Sequence, residues 1–143
     1  MEVVDKELLE RIKAIIEDLE EAGVLYRIDE ENFVVPNVTL IEFASFIVRV
    51  TSYLARMGRL DSFRRVIAEN GVDRCLVALL ALMLGTKLQR EQVIMGLEPG
   101  ISRQYMDDLI GVAKGLLELL KHQDYVAYCG LKGLLLTCVS APR

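Results

Sequence analysis

The sequence predicts a mostly α-helical protein, a single-domain bundle of five to seven helices with a small β-hairpin near its N-terminus. Three observations support this prediction. At 143 residues, the chain has the length of one domain. Apolar residues recur at three- and four-residue steps over most of that length, the spacing of helices that bury one face. One stretch, from Cys75 to Leu84, carries no charge at all, which is typical of a helix that other helices surround.

Residues 1–36 are predicted to form an acidic helix followed by the hairpin. The helix is expected over about 5–22, because apolar residues form one stripe there and charged residues fill the other side. The runs 24–28 and 33–35 are rich in β-branched and aromatic residues and flank a four-residue polar turn. A two-stranded ribbon is marginal alone, so these strands are expected to need a further surface or a partner's edge.

Residues 37–143 are predicted to form the helical bundle. Capping residues and glycines divide this region into six helices at about 40–57, 62–69, 74–84, 86–97, 103–121 and 125–138. In this interpretation Thr39, Asp61 and Asp73 cap the first three, and Gly85 separates the third from the fourth. The central apolar run is far shorter than the roughly 20 residues that cross a bilayer. No membrane partner is therefore predicted.

The composition favours a protein that works by contact with other macromolecules. Hydrophobic residues make up 52% of the chain, which is high for the surface of a small lone bundle. The first functional prediction is therefore a non-enzymatic assembly or interaction subunit, either homo-oligomeric or part of a larger complex. The predicted contacts lie on the first helix and at glycines that allow close approach of another helix: Leu8, Ile12, Ile15, Leu19, Gly111, Gly115, Gly130 and Gly133.

The net charge of −4 hides an uneven distribution. Residues 1–32 contain eleven acidic and four basic side chains, whereas residues 37–74 contain six arginines against four acidic side chains. Such an asymmetry can orient two subunits or attract an anionic ligand to one side. Ordinary solvated helix faces are the alternative explanation.

The alternative function is nucleic-acid binding, within a nucleoprotein complex. One candidate surface is an arginine patch between residues 49 and 65, in which cations for phosphate accompany one aromatic ring for base stacking: Arg49, Tyr53, Arg56, Arg59, Arg64 and Arg65. The same arginines could instead form ion pairs with the acidic first helix. The sequence leaves both interpretations open.

A second candidate is the segment 92–111, QVIMGLEPGISRQYMDDLIG, which resembles the helix-turn-helix signature. Gly96 is a small residue late in a first predicted helix, Gly100 follows at the turn, and apolar residues occupy inward positions of the next helix. The resemblance implies that this next helix enters a major groove, with Arg103 and Gln104 nearest the bases.

The segment departs from the helix-turn-helix pattern at three positions. Pro99 stands where the turn usually carries an apolar residue, and Asp107 and Asp108 would face the phosphates. Carboxylates at that surface weaken binding to a polyanion. An ordinary helix hairpin within the bundle is the alternative interpretation of the segment.

The sequence shows no catalytic or metal-binding grouping, so neither an enzyme nor a cofactor is predicted. His122 is the only histidine, and a Ser-His-Asp or Cys-His set would have to use it. The three cysteines, Cys75, Cys129 and Cys138, lack the CxxC spacing of zinc sites. An acidic, amphipathic N-terminus differs from a secretory signal, and a cytoplasmic protein with reduced thiols is expected.

Overall fold

The computed structural model is mostly helical, which confirms the predicted class. It describes residues 14, 17, 19–21, 23, 26–27, 33–34, 37–98, 100 and 103–140. Residues 14, 17 and 19–21 are helical and are called α1. Five longer helices follow: α2 (Asn37–Arg56), α3 (Leu60–Asn70), α4 (Val72–Ile94), α5 (Arg103–Gln123) and α6 (Tyr125–Ser140). No helix in this described part has the length and apolar composition that a membrane span requires.

Two strands of two residues each lie between α1 and α2. They are β1 (Tyr26–Arg27) and β2 (Phe33–Val34), and they pair in antiparallel register. This ladder is shorter than the predicted strand runs, whose other residues lie outside the described ranges. A pairing of this length adds little stability of its own, so the hairpin is not established as an element of the fold.

α4 is the centre of the bundle, as the uncharged apolar run predicts. It contacts α2, α3, α5 and α6. Leu76 and Leu84 on this helix are 0% exposed. Full burial of a leucine side chain stabilises a fold by about 1.5–3 kcal/mol, so α4 supplies a large share of the core's stabilisation.

The predicted helix break at Gly85 is wrong. α4 continues through Gly85, which is buried, and on to Ile94. Thr86 caps no helix, because its hydroxyl donates to the carbonyl oxygen of Leu82 within α4 at 2.9 Å. A glycine inside a helix costs about 1 kcal/mol relative to alanine, and the packing around α4 outweighs that cost.

The predicted starts of α2, α3 and α4 are also displaced. α2 begins at Asn37, so Thr39 lies inside the first turn, where it is 2% exposed, and not at the cap. α3 and α4 each begin one residue before the predicted cap, which places Asp61 and Asp73 in their first turns. Carboxylates in a first turn interact favourably with the helix dipole. Asp61 and Asp73 therefore stabilise the starts of α3 and α4 through their charge and not as capping residues.

Glycines in the left-handed conformation follow α2 and α4. Gly58 has a φ of +69° and Gly96 a φ of +78°. After α4, the N–H of Gly96 bonds to the carbonyl of Val93 at 3.0 Å, and the N–H of Leu97 bonds to the carbonyl of Gln92 at 2.8 Å. These are the two bonds of a Schellman motif. Gly96 therefore lies beyond the end of α4.

α5 and α6 complete the core. Leu109 of α5 and Leu135 of α6 are 0% exposed, and α6 contacts α2, α3, α4 and α5. Asp124 separates the two helices and caps α6, because its carboxylate accepts the N–H of Ala127 at 3.0 Å. α2 and α4 contact each other, and a cleft is lined by residues of both helices.

Candidate functional site

A cleft of about 670 Å³ lies between α2 and α4, and we call it the α2–α4 cleft. Its α2 wall is one helix face, because the lining residues are three, four or one apart: Glu42, Phe46, Arg49, Val50 and Tyr53. The α4 wall has the same periodicity: Met83, Thr86, Lys87, Arg90 and Ile94. Ligand pockets commonly enclose about 300–1,000 Å³, so the cleft has room for a ligand or a side of a helix.

The α2–α4 cleft carries an excess of positive charge. Three lining residues are basic and Glu42 is the one acidic residue among those described there. Lys87 and Glu42 form an ion pair between the two walls, so their charges compensate each other. Within the described ranges, neither Arg49 nor Arg90 has an ion-pair partner. These two arginines are therefore the cations available to an incoming anion.

The remaining lining is largely apolar. Phe46 and Val50 pack against the core, and Met83 is 3% exposed. Tyr53 on the rim is 55% exposed, so its ring is accessible. An occupant of the α2–α4 cleft would therefore meet an apolar floor, one open aromatic ring and guanidinium groups. These features would match a ligand that is both amphipathic and negatively charged.

Apolar surface continues beyond the cleft at the end of α4. Val93, Ile94, Met95 and Leu97 are 56%, 76%, 71% and 56% exposed, respectively, and we call them the α4 terminal patch. Together they expose roughly 400 Å² of apolar surface, which is within the range of the largest patch on a typical monomer, about 300–600 Å², and such patches are often functional. Because Ile94 also lines the α2–α4 cleft, the two surfaces are continuous.

The structure brings together only part of the predicted arginine patch. Arg49 and Tyr53 line the α2–α4 cleft, and Arg56 is exposed three residues further along α2. The other three arginines are exposed at or beyond the end of α2: Arg59, Arg64 and Arg65. Arg64 forms an ion pair with Asp61 of its own helix. The alternative prediction, in which these arginines form ion pairs with the acidic first helix, involves mainly residues outside the described ranges.

The sequence prediction missed the α4 wall of the cleft. A helix break at Gly85 would separate Lys87 and Arg90 from Met83, whereas the continuous α4 places all three on one face. The steps from Met83 to Lys87, Arg90 and Ile94 are four, three and four residues, the spacing of one helical stripe. This spacing is the signal that could have identified the wall.

The segment 92–111 differs in geometry from the helix-turn-helix motif that it resembles. In the connection between α4 and α5, residues 95–98 and 100 are not helical, and α5 is described from Arg103. The motif has a turn of about three or four. Gly96 is in this connection and not late in the first helix, as the resemblance requires.

The side chains at the start of α5 fit the motif only in part. Leu109 is fully buried and Met106 packs partly against the core, as expected of inward positions. Arg103 is exposed, whereas the side chain of Gln104 lies outside the described set. Asp108 is 5% exposed, so the prediction that it faces phosphates is wrong. The exposed carboxylate is Asp107.

The glycines predicted to admit another helix lie in open positions. All four are exposed: Gly111, Gly115, Gly130 and Gly133. Nothing in the described part of the chain lies within 4 Å of a Cβ atom built at the last three. Among the described residues, packing within one chain gives no reason for a glycine at these three positions, and contact with a second copy stays a prediction.

Leu19 does not fit the predicted set of oligomer contacts. Its side chain is 0% exposed within a single chain, so it belongs to the core and is unavailable to a partner. The other predicted contacts of the first helix, Leu8, Ile12 and Ile15, lie outside the described residues.

A polar cluster joins the start of α4 to α6. The hydroxyl of Tyr128 donates a hydrogen bond to Oδ1 of Asp73, and Nζ of Lys132 lies 3.5 Å from the same oxygen. The Nζ atoms of Lys121 and Lys132 lie 5.7 Å and 5.4 Å from the ring centroid of Tyr128. This cluster attaches α6 to α4 and was not predicted.

The polar cluster shifts the pKa values of its two central groups. The hydrogen bond from Tyr128, assisted by Lys132, lowers the pKa of the Asp73 carboxyl. Burial, followed by the bond to Asp73, raises the pKa of the Tyr128 hydroxyl. Both shifts favour an ionised carboxylate and a neutral phenol, the pair that the hydrogen bond requires.

The described residues contain no group of three His, Cys, Asp or Glu side chains placed to hold a metal ion. Cys75 is buried, and this burial raises the pKa of its thiol. No protein-family model, curated protein or solved structure matches the chain. The geometry of the α2–α4 cleft and the α4 terminal patch is therefore the basis for inferring function.

Proposed function

We propose that this protein is a non-enzymatic interaction subunit that binds an acidic, amphipathic helical segment of a partner protein in the α2–α4 cleft. The observation that supports this proposal is that two arginines, Arg49 and Arg90, lie beside an apolar floor and have no ion-pair partner among the described residues. A helix that places apolar residues on one side and carboxylates at its edges matches both features.

The expected binding geometry follows from the two walls. The apolar side of the partner helix would lie over Phe46 and Val50 and extend onto the α4 terminal patch. Its carboxylates would meet Arg49 and Arg90, whose planar guanidinium groups can donate two parallel hydrogen bonds to one carboxylate. Lys87 would attract a partner carboxylate less strongly, because Glu42 already compensates its charge.

Apolar contact alone does not account for specific binding here. Covering the α4 terminal patch removes roughly 400 Å² from water, which is worth about 10 kcal/mol at 25 cal/mol/Å². Association costs about 4–15 kcal/mol in lost motion, so the two terms are of similar size. The charged contacts must then decide which partner binds, and the arginines select an acidic one.

The experiment compares two short, fluorescein-labelled helical peptides, one of leucine and glutamate and one of leucine and lysine. Fluorescence anisotropy is expected to show binding of the acidic peptide to the full chain, with weaker binding at higher salt. The variant R49E/R90E should weaken that binding at least tenfold. R59E/R65E reverses two exposed arginines outside the cleft and serves as the matched control. Equal affinity for the two peptides, or unchanged affinity in R49E/R90E, would contradict the proposal.

A second candidate, single-stranded nucleic acid, is favoured by the exposed ring of Tyr53 between Arg49 and Arg56. Base stacking on such a ring contributes about 1–3 kcal/mol per base. A labelled oligothymidine should then bind in low salt, Tyr53→Ala should weaken binding at least fivefold, and Tyr53→Phe should retain it. Absence of oligonucleotide binding would reject this candidate and leave the first in place.

A further inference from the structure

One side of α6, a helix that is described over its full length, is exposed and carries no charge. Its exposed residues recur at steps of one and three, so they lie on one helix face, opposite the buried residues Tyr128, Leu131 and Leu135. We call six of these exposed residues the open α6 face: Val126, Cys129, Gly130, Gly133, Leu136 and Thr137. The one charged residue of the helix, Lys132, lies outside this face and beside Asp73.

The open α6 face has the composition of a contact surface. A helix that lacks a charged side is normally covered all round, but this face is in contact with water, since Val126 is 81% and Leu136 44% exposed. Charged residues make up 27% of the chain and are the usual occupants of exposed positions. Their depletion is the compositional mark of the buried centre of an interface.

The shape of the open α6 face is complementary to itself. Nothing in the described ranges lies within 4 Å of a Cβ atom built at Gly130 or Gly133, so a second helix can approach the backbone closely there. In an antiparallel pair centred between these glycines, Gly130 would lie opposite the partner's Gly133, and Val126 opposite the partner's Thr137. A larger side chain then meets a smaller one at each end, whereas a parallel pair would place Val126 against the partner's Val126.

We propose that the open α6 face binds the same face of a second copy of this chain in an antiparallel, two-fold contact. With the exposed Tyr125 beside it, the face presents roughly 500 Å² per copy, so the contact would bury about 1,000 Å² in total, the lower limit for a specific interface. Two copies with a net charge of −4 repel each other as whole molecules. An uncharged face lets them meet without opposing like charges, and two-fold symmetry limits the assembly to two chains.

The contact leaves the proposed binding site accessible. No residue of the open α6 face is among the described residues that line the α2–α4 cleft. A dimer would therefore present two clefts, and a partner with two acidic segments would bind more tightly than a partner with one. The inference itself does not depend on what occupies the cleft.

The test places charges at the two positions that an antiparallel pair brings together. V126E/T137E opposes glutamate to glutamate across the contact, whereas V126E/T137K differs only in the sign at position 137 and opposes glutamate to lysine. Size-exclusion chromatography with light scattering of the full chain, at about 100 µM, should give the mass of two chains for the wild type and V126E/T137K and of one chain for V126E/T137E. V66E/L82E changes two exposed apolar residues outside the face and should remain dimeric.

Two measurements locate the contact. Raising salt from about 50 mM to 500 mM should change the wild-type dimer affinity by less than about twofold, because the face has no charges to screen, and should weaken V126E/T137K at least fivefold. Cys129 is exposed on the face, so iodoacetamide should alkylate it at least fivefold more slowly at about 100 µM protein than at about 1 µM. Trypsin cleaves after Lys132 and separates Cys129 from Cys138, so mass spectrometry follows each thiol individually.

A monomeric wild type, a dimer that persists in helical V126E/T137E, or alkylation of Cys129 that is independent of protein concentration would overturn the inference. A monomeric V126E/T137K beside a dimeric wild type would overturn the antiparallel arrangement. Circular dichroism establishes that the variants remain helical, and the wild-type alkylation decides the matter if one does not. If the wild type is monomeric and the acidic leucine–glutamate peptide still binds, this inference fails and the proposed function stands. A dimer that does not bind the peptide gives the reverse result.

Discussion

Replacing Tyr128 with phenylalanine isolates the hydrogen bond that joins α6 to α4. The ring is 6% exposed and keeps its packing in the variant, so only the hydroxyl contact to Asp73 is lost. A hydrogen bond to a charged group contributes about 1.5–3 kcal/mol. The side chain of Asp73 is 60% exposed, and water can replace the missing donor. We therefore expect a loss of about 1–2 kcal/mol, at and just below the lower limit of that range.

Chemical denaturation followed by circular dichroism measures this loss, and thermal unfolding should show a decrease in Tm of about 3–6 °C. Tyr125→Phe is the matched control. The ring centroids of Tyr125 and Tyr128 lie 6.3 Å apart, and Tyr125 is 60% exposed. Removal of the Tyr125 hydroxyl should therefore change the free energy of unfolding by less than about 0.5 kcal/mol. Equal effects of the two substitutions would refute the assignment of Tyr128 as the attachment point.

The same substitution predicts a pH dependence with a definite sign. The lowered pKa of Asp73 means that its contribution is present above about pH 4, the unfolded value, and is lost as pH falls through the folded pKa. The raised pKa of Tyr128 means that its contribution is present below about pH 10 and is lost at higher pH. The stability difference between wild type and Tyr128→Phe should therefore be largest near neutral pH. A difference that stays constant from about pH 3 to 10.5 would contradict the coupling.

Two further substitutions test the core and the glycines. Leu84→Ala should lower the free energy of unfolding by about 3–5 kcal/mol, because this side chain is 0% exposed. Leu82 is 49% exposed on the same helix, so Leu82→Ala should lower it by less than about 1 kcal/mol. Similar denaturation midpoints for the two variants would show that α4 is not the centre of the bundle. Gly133→Ala should stabilise the chain by up to about 1 kcal/mol, since no described atom lies within 4 Å of a Cβ built there. Gly96→Ala should destabilise the chain by about 1 kcal/mol, since the φ of Gly96 is +78°. If Gly133→Ala instead lowers the mass measured by light scattering, a second copy packs on that glycine.

The sequence predicts the parts of this fold that depend on local periodicity. The uncharged run from Cys75 to Leu84 identifies the central helix, and two members of the predicted arginine patch, Arg49 and Tyr53, line the α2–α4 cleft. The break at Gly85 is predicted wrongly because helix propensity describes an isolated segment, whereas four neighbouring helices hold α4 together.

The features that the sequence does not predict depend on contacts between residues that are far apart in the chain. Asp73 and Tyr128 are 55 residues apart in the chain, and neither periodicity nor capping rules refer to such a separation. Arg90 joins the cleft only because α2 lies beside α4, which is a consequence of tertiary packing. Single-sequence reasoning therefore named two of the ten residues that line the cleft, Arg49 and Tyr53, and missed the contact that attaches α6.

The uninterrupted course of α4 has a mechanical consequence. Its first turn holds Asp73, bonded to α6, and its last turn holds Ile94 at the mouth of the cleft, roughly 30 Å away at 1.5 Å per residue. A force applied by a bound partner at one end would pass along one continuous helix to the four helices that α4 contacts. If the helix had ended at Gly85, the same force would have acted on a short connection between two separate helices.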